Sequence, residues 1–545
     1  MHCLLVGINS KFIHSNPGLY SLKSYAEYNI SRFFNDNDCI GSKAVIDIEI
    51  AEFTINQQIS EILSGIYRLN PDYLFISCYI WNREILDKLL PELPKVLPDV
   101  PVFLGGPEVS YHPELIMQQY PNIAGIMIGE GEETFTELVA SLYPAYAKLT
   151  SDESDMAECC LIPNISLSHI SGMYLATGYT GERMPLSMDS VPFFYPDCNA
   201  GTFDNRIIYY ESSRGCPYRC SYCLSSIDKS LRFRSIENVY KHLDYFLKEE
   251  VRQVKFVDRT FNANHEHALS VWKYINEHDN GVTNFHFEIA ADIMTDEEIA
   301  VINSMRPGLV QLEIGVQTTN PETLRLINRY ADTAHIAEVV AKLLAPHNAH
   351  IHLDLIAGLP QEDFASFKKS FDEVFMMHPH QLQLGFLKVL KGTDMETKAK
   401  DLNIRYTSSA PYEVLSTSSI SYKELLMLKD IEYVLEDYYN SAQFTQTLPR
   451  LLSMYDSAFD FFAALAAYYR NHDYFVRVPA RSRRYDILLE FAGNSEEIRD
   501  LLSLDYYLRE KPKSKPDFVH NIPDMDKIDY SKRDPITGNH IIICR

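Results

Sequence analysis

The chain opens on an apolar run, H-C-L-L-V-G-I at 2–8, and helical periodicity follows from about Gly18 to Ser31. The alternation then repeats, with a strand at 44–53, a helix near Gln57–Leu69, a strongly apolar strand at Tyr73–Cys78 and a helix from about Arg83 to Val96. Two more apolar runs, V-F-L-G-G at 102–106 and I-M-I-G-E-G-E at 126–132, each end in glycine. Strands alternating with helices predict a doubly wound parallel sheet. Ligands on such sheets sit beyond the carboxyl ends of the strands, where Gly7, Ser77, Gly105–Gly106 and Gly129–Gly131 fall. A G-x-G-x-x-G fingerprint is absent after the first strand, which argues against a nicotinamide cofactor.

From about Pro144 to Thr202 the periodicity weakens, which predicts a connector with a small hairpin, Gly172–Leu175 pairing with Arg183–Leu186. Strand patterns return at 207–211, 253–258, 285–290, 310–316, 350–356 and 381–389, with helices fitting between them. After about Met395 the character changes to helical stretches at Tyr422–Tyr439 and Phe459–Arg470, rich in Leu, Ala and Tyr, and a charged tail from Lys511. The 545 residues exceed what one core organises and fit about three domains of roughly 100–200 residues. The expected division is 1–143, a linker at 144–202, 203–395, and 396–545.

Composition narrows the function classes. An apolar content of 46% supports packed cores, and the net charge of −24 argues against a nucleic-acid footprint, which rests on clustered Lys and Arg. No apolar run approaches the roughly 20 residues that cross a bilayer, and no charged leader precedes the first strand, so a cytoplasmic protein is expected. Cys3, Cys39, Cys78, Cys159, Cys160, Cys198 and Cys544 read as core or surface thiols. Tyr438–Tyr439, Tyr468–Tyr469 and Tyr506–Tyr507 read as packing at domain seams.

The remaining cysteines carry the chemistry. In S-S-R-G-C-P-Y-R-C-S-Y-C-L at 212–224, Cys216, Cys220 and Cys223 form a C-x3-C-x2-C loop, with Gly215 and Pro217 holding the first out of regular structure. Thiolates suit iron–sulfur clusters and zinc, and three are one short of a closed site. A four-iron cube held by three thiolates leaves one iron free for a substrate or cofactor. The alternative is a structural zinc whose fourth ligand lies elsewhere, such as Cys198 or His265.

The loop, including Tyr222 before the third cysteine, resembles the signature of the radical S-adenosylmethionine (SAM) superfamily. The resemblance implies a [4Fe-4S] cluster whose open iron chelates SAM, reductive cleavage to a 5'-deoxyadenosyl radical, and an external electron donor such as flavodoxin or ferredoxin. Segments 313–329 and 354–362 also look like that family, and the strands at 207–389 resemble its partial six-stranded barrel, with chemistry at the C-terminal mouth. By position, Glu288, Gln317, Arg329 and Asp354 match SAM-contacting residues. Arg can pair with the methionyl carboxylate, and acidic or amide groups can accept from the amine or ribose hydroxyls. Asp258, Thr260 and Asn262 are expected to line the pocket.

The first 143 residues resemble the cobalamin-binding domain of one radical SAM class, with Ser77, Gly105 and Gly106 matching the slot for the nucleotide tail and G-E-G-E-x-T-F at 129–135, with Gly131 as a cofactor-binding residue, matching its closing turn. The cobalt-ligating Asp-x-His-x-x-Gly pattern is not met: Phe12, His14 and Gly18 give F-x-H-x-x-x-G, so cobalamin without a protein imidazole on cobalt is expected. The C-terminal part resembles an extension of uncharacterised function. The resemblance implies methyl transfer to an unactivated carbon or phosphorus centre of a small molecule or peptide. The alternatives are a cobalamin-containing rearrangement or cyclisation enzyme, and a non-catalytic cobalamin or zinc sensor or scaffold. A methylthiotransferase is disfavoured because Cys3, Cys39 and Cys78 are not clustered as a second trio.

Overall fold

The structure is a computed structural model that describes residues 1–34, 46–151, 166–199, 201–228, 230–510, 516–522 and 527–542. Cys39, Cys159, Cys160, Cys544, the start of the second predicted strand and most of the polar stretch at 150–158 lie outside the described residues.

Five parallel strands build the first sheet: β1 (His2–Asn9), β2 (Asp47–Thr54), β3 (Tyr73–Ser77), β4 (Val102–Gly105) and β5 (Ile123–Met127), in the order β2-β1-β3-β4-β5. Both faces are covered, as continuous apolar strands require. Leu4, Val6, Leu74 and Ile76 meet Ile62, Ile66, Leu86 and Leu89 of the helices Ile59–Leu69 and Arg83–Leu89 on one face. Leu5, Phe75 and Phe103 meet Leu19 of helix Pro17–Asn29 and Phe135 and Leu138 of helix Glu132–Ser151 on the other. The strand order reverses between β1 and β3, and that reversal opens a crevice at their carboxyl ends.

The connector adds two short strands to this sheet, β6 (Met173–Leu175) and β7 (Gly178–Tyr179), both antiparallel. The expected pairing of 172–175 with 183–186 is corrected: Tyr174 pairs with Tyr179 and Leu175 with Gly178. Arg183 instead binds Glu133 at 3.2 Å and Glu137, anchoring the segment to helix Glu132–Ser151.

Six parallel strands form the second sheet: β8 (Ile208–Tyr210), β9 (Gln253–Phe256), β10 (Asn284–Ile289), β11 (Val310–Gln317), β12 (His350–Ala357) and β13 (Gln381–Phe386), ordered β13-β12-β11-β10-β9-β8. The two end strands do not pair, so the barrel is partial, as expected. Its helices bury one stripe, such as Val239, Leu243, Phe246 and Leu247 of Ile236–Lys248.

Residues after 395 are mainly helical, with helices at Tyr422–Leu435, Ala458–Asn471, Arg483–Phe491 and Glu496–Arg509 and a terminal hairpin of Ile528–Arg533 and His540–Ile542. Phe459 and Phe462 pack edge-on against Phe371 of the barrel helix Phe364–Phe375. Tyr438 and Tyr469 share a buried hydroxyl contact of 2.7 Å inside this layer.

Candidate active site

The cysteine loop is the connection of a short hairpin in which Ser213 pairs with Phe233 and Arg214 with Arg232. Gly215 begins it at φ +95°, and a Cβ there would lie 2.1 Å from the Ser230 carbonyl oxygen, so the left-handed, closely approached position requires glycine. Ser221 fixes the far side: its N–H donates to Ile327 O (2.8 Å) and its carbonyl accepts from Met395 N (2.7 Å). Cys216 and Cys220 are buried and Cys223 is half-buried.

Asp258, Thr260 and Asn262 brace this loop and its neighbour at the mouth of β9. Buried Asp258 accepts from Ser212 N (3.0 Å), Ser212 Oγ (2.6 Å) and Ser213 Oγ (2.5 Å). Thr260 Oγ1 is 3.5 Å from Cys216 Sγ, and Asn262 exchanges two hydrogen bonds with the Ala290 backbone.

The two fourth ligands named for a zinc are engaged elsewhere. Cys198 Sγ donates to Phe194 O at 3.3 Å, and His265 Nδ1 lies 3.0 Å from Glu298. Among the described residues, the only trio of His, Cys, Asp or Glu ligand atoms within 4.8 Å of one another is Glu313, His352 and Asp354. The three sulfurs thus do not all lie within 4.8 Å of one another, wider than a single tetrahedral ion with Zn–S near 2.3 Å would set them. The Glu313 trio also carries Lys255, whose Nζ is 3.2 Å from Glu313, and His286, 2.8 Å from it. An ammonium in that position opposes a bound cation, so this is a salt-bridged layer across the barrel. Lys255, His286 and His352 hold the Glu313 carboxyl down at about 2 against its burial.

The sequence-predicted SAM residues lie in this layer or beside the cysteine loop. Arg329 reaches Cys220 Sγ at 3.6 Å and donates to Gly315 O; burial pushes the Cys220 thiol up, and Arg329 opposes that. Tyr222 packs beside the same pair, and burial raises its hydroxyl with Arg329 opposing. Gln317 sits at a bulge in β11 with φ +74°, its amide nitrogen folded over Gly315. Its Oε1 and Arg329 Nε are buried without a hydrogen-bond partner, polar atoms of the kind a polar ligand would satisfy. Glu288 faces Glu313 in register, and burial, then that charge, raises it to about 7. Asp354 lies two strands from Glu288, 3.1 Å from His352 Nε2.

Ser77, Gly105, Gly106 and Gly131 all border one slot of about 120 Å³ at the β1/β3 crevice. Gly106 has φ +107°, and a Cβ on it would lie 2.5 Å from Cys78 O. Asn16, which sequence reasoning missed, donates to Ser77 Oγ at 2.8 Å, and its Oδ1 is buried and unpartnered. A glycine-walled slot with an orphan amide oxygen fits a narrow polar tail.

Beside the slot, a cavity of about 560 Å³ lies between the carboxyl ends of the two sheets. Asn9, Tyr79 and Trp81 border it from the first sheet, Phe193 from the connector, and Glu211 and Arg259 from the barrel. His14 borders it too, with Nδ1 2.5 Å from Tyr209 Oη. The wall is braced by Arg214, which binds Glu132 at 2.6 Å and Glu211 at 2.9 Å.

The chain carries the domains of a cobalamin-type radical SAM protein. The B12 binding domain family matches residues 4–139 and the Radical SAM superfamily residues 210–374; their cofactors are cobalamin, and a [4Fe-4S] cluster with SAM. Residues 400–540 match a family described as protein of unknown function (DUF4080). The chain is 24% identical over 362 residues to the cobalamin-dependent radical SAM methyltransferase TokK of Streptomyces tokunonensis, covering 63% of this chain and 50% of TokK. It thus spans half the length of that relative. Two solved structures share the fold at 14% identity. One is radical SAM methyltransferase TsrM from Kitasatospora setae with cobalamin and [4Fe-4S] cluster bound (TM-score 0.55, 75% of this chain and 76% of that one). The other is cobalamin-dependent S-adenosylmethionine radical enzyme OxsB (TM-score 0.60, 92% and 78%). Among the described residues, no helix is long and apolar enough to cross a membrane.

Proposed function

We propose that this protein is a methyltransferase acting on an unactivated carbon or phosphorus centre of a small molecule or peptide. The observation that carries this reading is a shared cavity onto which both sheets direct their carboxyl ends, with the three-thiol loop at the barrel mouth and the glycine-walled slot on the other side. When bound, the cluster and SAM supply a 5'-deoxyadenosyl radical and cobalamin a transferable methyl group, so the cofactors carry the hard chemistry. The chain's own residues bind, orient and exclude water.

In this reading Cys216, Cys220 and Cys223 hold three corners of the cluster, and Arg329, Gln317, Glu288, Asp354 and Tyr222 surround SAM. Ser77, Gly105, Gly106 and Gly131 line the tail of cobalamin, and the protein takes electrons from a flavodoxin or ferredoxin and binds no nucleic acid. The functional division is cobalamin domain 1–143, linker 144–202, radical core 203–395 and extension 396–545.

Anaerobic reconstitution followed by incubation with trideuteromethyl SAM, cobalamin and reductant tests the reading. The expected result is about four irons per chain, deoxyadenosine, and labelled methylcobalamin. The Cys216→Ala, Cys220→Ala, Cys223→Ala triple variant is expected to lose the brown absorbance and the deoxyadenosine together. Deoxyadenosine with no labelled methylcobalamin would replace methyl transfer by a rearrangement or cyclisation, and protein with one zinc and no iron would remove the enzyme reading.

A further inference from the structure

Glu108 stands two residues beyond Gly106, in the short turn of helix Pro107–Ser110 that follows β4, and its carboxylate is 6% exposed. That turn closes the glycine slot: Glu108 N donates to Cys78 O at 3.3 Å, and Ser110 Oγ to Gly106 O at 2.9 Å. The groups that hold the carboxylate come from the far end of the chain. Tyr412, inside the DUF4080 match, donates its hydroxyl to Glu108 Oε1, and Lys391 Nζ lies 2.8 Å from the same oxygen. Lys391 also sits 5.0 Å over the Tyr412 ring.

A second contact runs alongside. The Tyr111 ring packs on Gly392, where φ is +79° and a Cβ would lie 2.2 Å from the ring, and His112 is 3.3 Å from Glu396. The anchor itself is fixed to the barrel, since Val389 N donates to Tyr412 O at 3.0 Å and Val414 N to Leu387 O at 2.9 Å.

We propose that the DUF4080 extension is a latch for cobalamin: through Tyr412, with Lys391, it holds Glu108 and so keeps the turn after Gly105–Gly106 closed on the nucleotide tail. The inference rests on the reading that the slot beside Ser77 takes that tail. A buried hydrogen bond to a charged group is among the stronger ones, and leaving the carboxylate short of donors lets the turn open. Tyr412 and Glu108 are positioning residues that touch no reacting atom.

Equilibrium dialysis of anaerobically reconstituted full-length protein against hydroxocobalamin tests it. Tyr412→Phe and Glu108→Gln are each expected to weaken cobalamin about tenfold, about 1.4 kcal/mol, with iron content and SAM binding at wild-type values. Unchanged cobalamin affinity in both variants overturns the proposal. So does parallel loss of iron and SAM binding, which would mark a general structural role. If Glu108→Gln precipitates, Tyr412→Phe, which keeps the ring under Lys391, decides alone. If wild-type protein binds no cobalamin, the tail-slot reading fails separately, and deuterium uptake across residues 105–112 decides the latch: faster uptake in Tyr412→Phe sustains it, equal uptake ends it.

Discussion

Glu288 shows how one side chain's surroundings set a measurable property of the site. Burial and the facing Glu313 raise its carboxyl to about 7, whereas Glu313, clamped by His286 and Lys255, is held at about 2. Two acids in register on adjacent strands are thus driven apart, the pattern expected when only one has cationic partners. Below pH 7 free Glu288 is protonated and accepts poorly from a SAM amine or ribose hydroxyl; above it the carboxylate is ready. SAM affinity should therefore fall about tenfold per unit as pH drops below 7. The dissociation constant, measured by dialysis at pH 6 and pH 8, is expected to differ about tenfold in wild type beyond any change in Glu288→Gln, which cancels SAM's own titration. Equal profiles in the two proteins would remove Glu288 from the SAM site. The polar layer beneath was legible, since V-K-F, F-H-F-E and H-I-H-L-D alternate polar with apolar along barrel strands. Sequence reasoning named Glu288 and Asp354 singly and missed Lys255, His286, Glu313 and His352 as one array. Glu108 and Tyr412 were not legible, because 304 positions separate them and no local pattern marks either.

The cysteine loop was readable because its information is local. Three cysteines, a glycine and a proline within nine positions carry both the expected metal chemistry and the break from regular structure. The hairpin that carries it was not, since strands of two residues have no periodicity to detect. The same cause misplaced the partner of β6, whose mate β7 is two residues long. Gly215 joins the readable and unreadable parts. Its positive φ costs a substituted residue about 1–3 kcal/mol, and the 2.1 Å approach to Ser230 O forces the Ser213–Phe233 ladder apart. Gly215→Ala should retain wild-type far-ultraviolet dichroism, because the change touches one loop, while reconstituted iron falls below half the wild-type content. Full iron occupancy in that variant would show that the hairpin does not set the positions of the thiolates.

At the scale of the whole molecule, apolar packing divides the chain differently from its expected functional segments. The two faces of the first sheet have their own clusters, and β6 and β7 complete that sheet's edge. The barrel and the C-terminal helices share one continuous cluster, in which Phe364, Phe371 and Phe375 of a barrel helix are covered by Tyr439, Phe459 and Phe462. The seam between first sheet and barrel mixes charge, with Arg206 on Glu52 and Arg214 on Glu132, and a smaller aromatic contact, Tyr20 against Phe194 and Phe203. Uncovering three phenylalanines costs about 5–9 kcal/mol at roughly 1.5–3 each, comparable with the entire stability of a domain. A chain ending at residue 395 should therefore fail to accumulate as soluble protein, whereas residues 1–186, which keep both apolar clusters of the first sheet and uncover little beyond Tyr20 and Tyr111 at the seam, should melt cooperatively by circular dichroism. Soluble, iron-binding protein from the first truncation would show that the DUF4080 extension is not part of the barrel's core. An unfolded second fragment would show that the first sheet depends on the barrel for more than this seam.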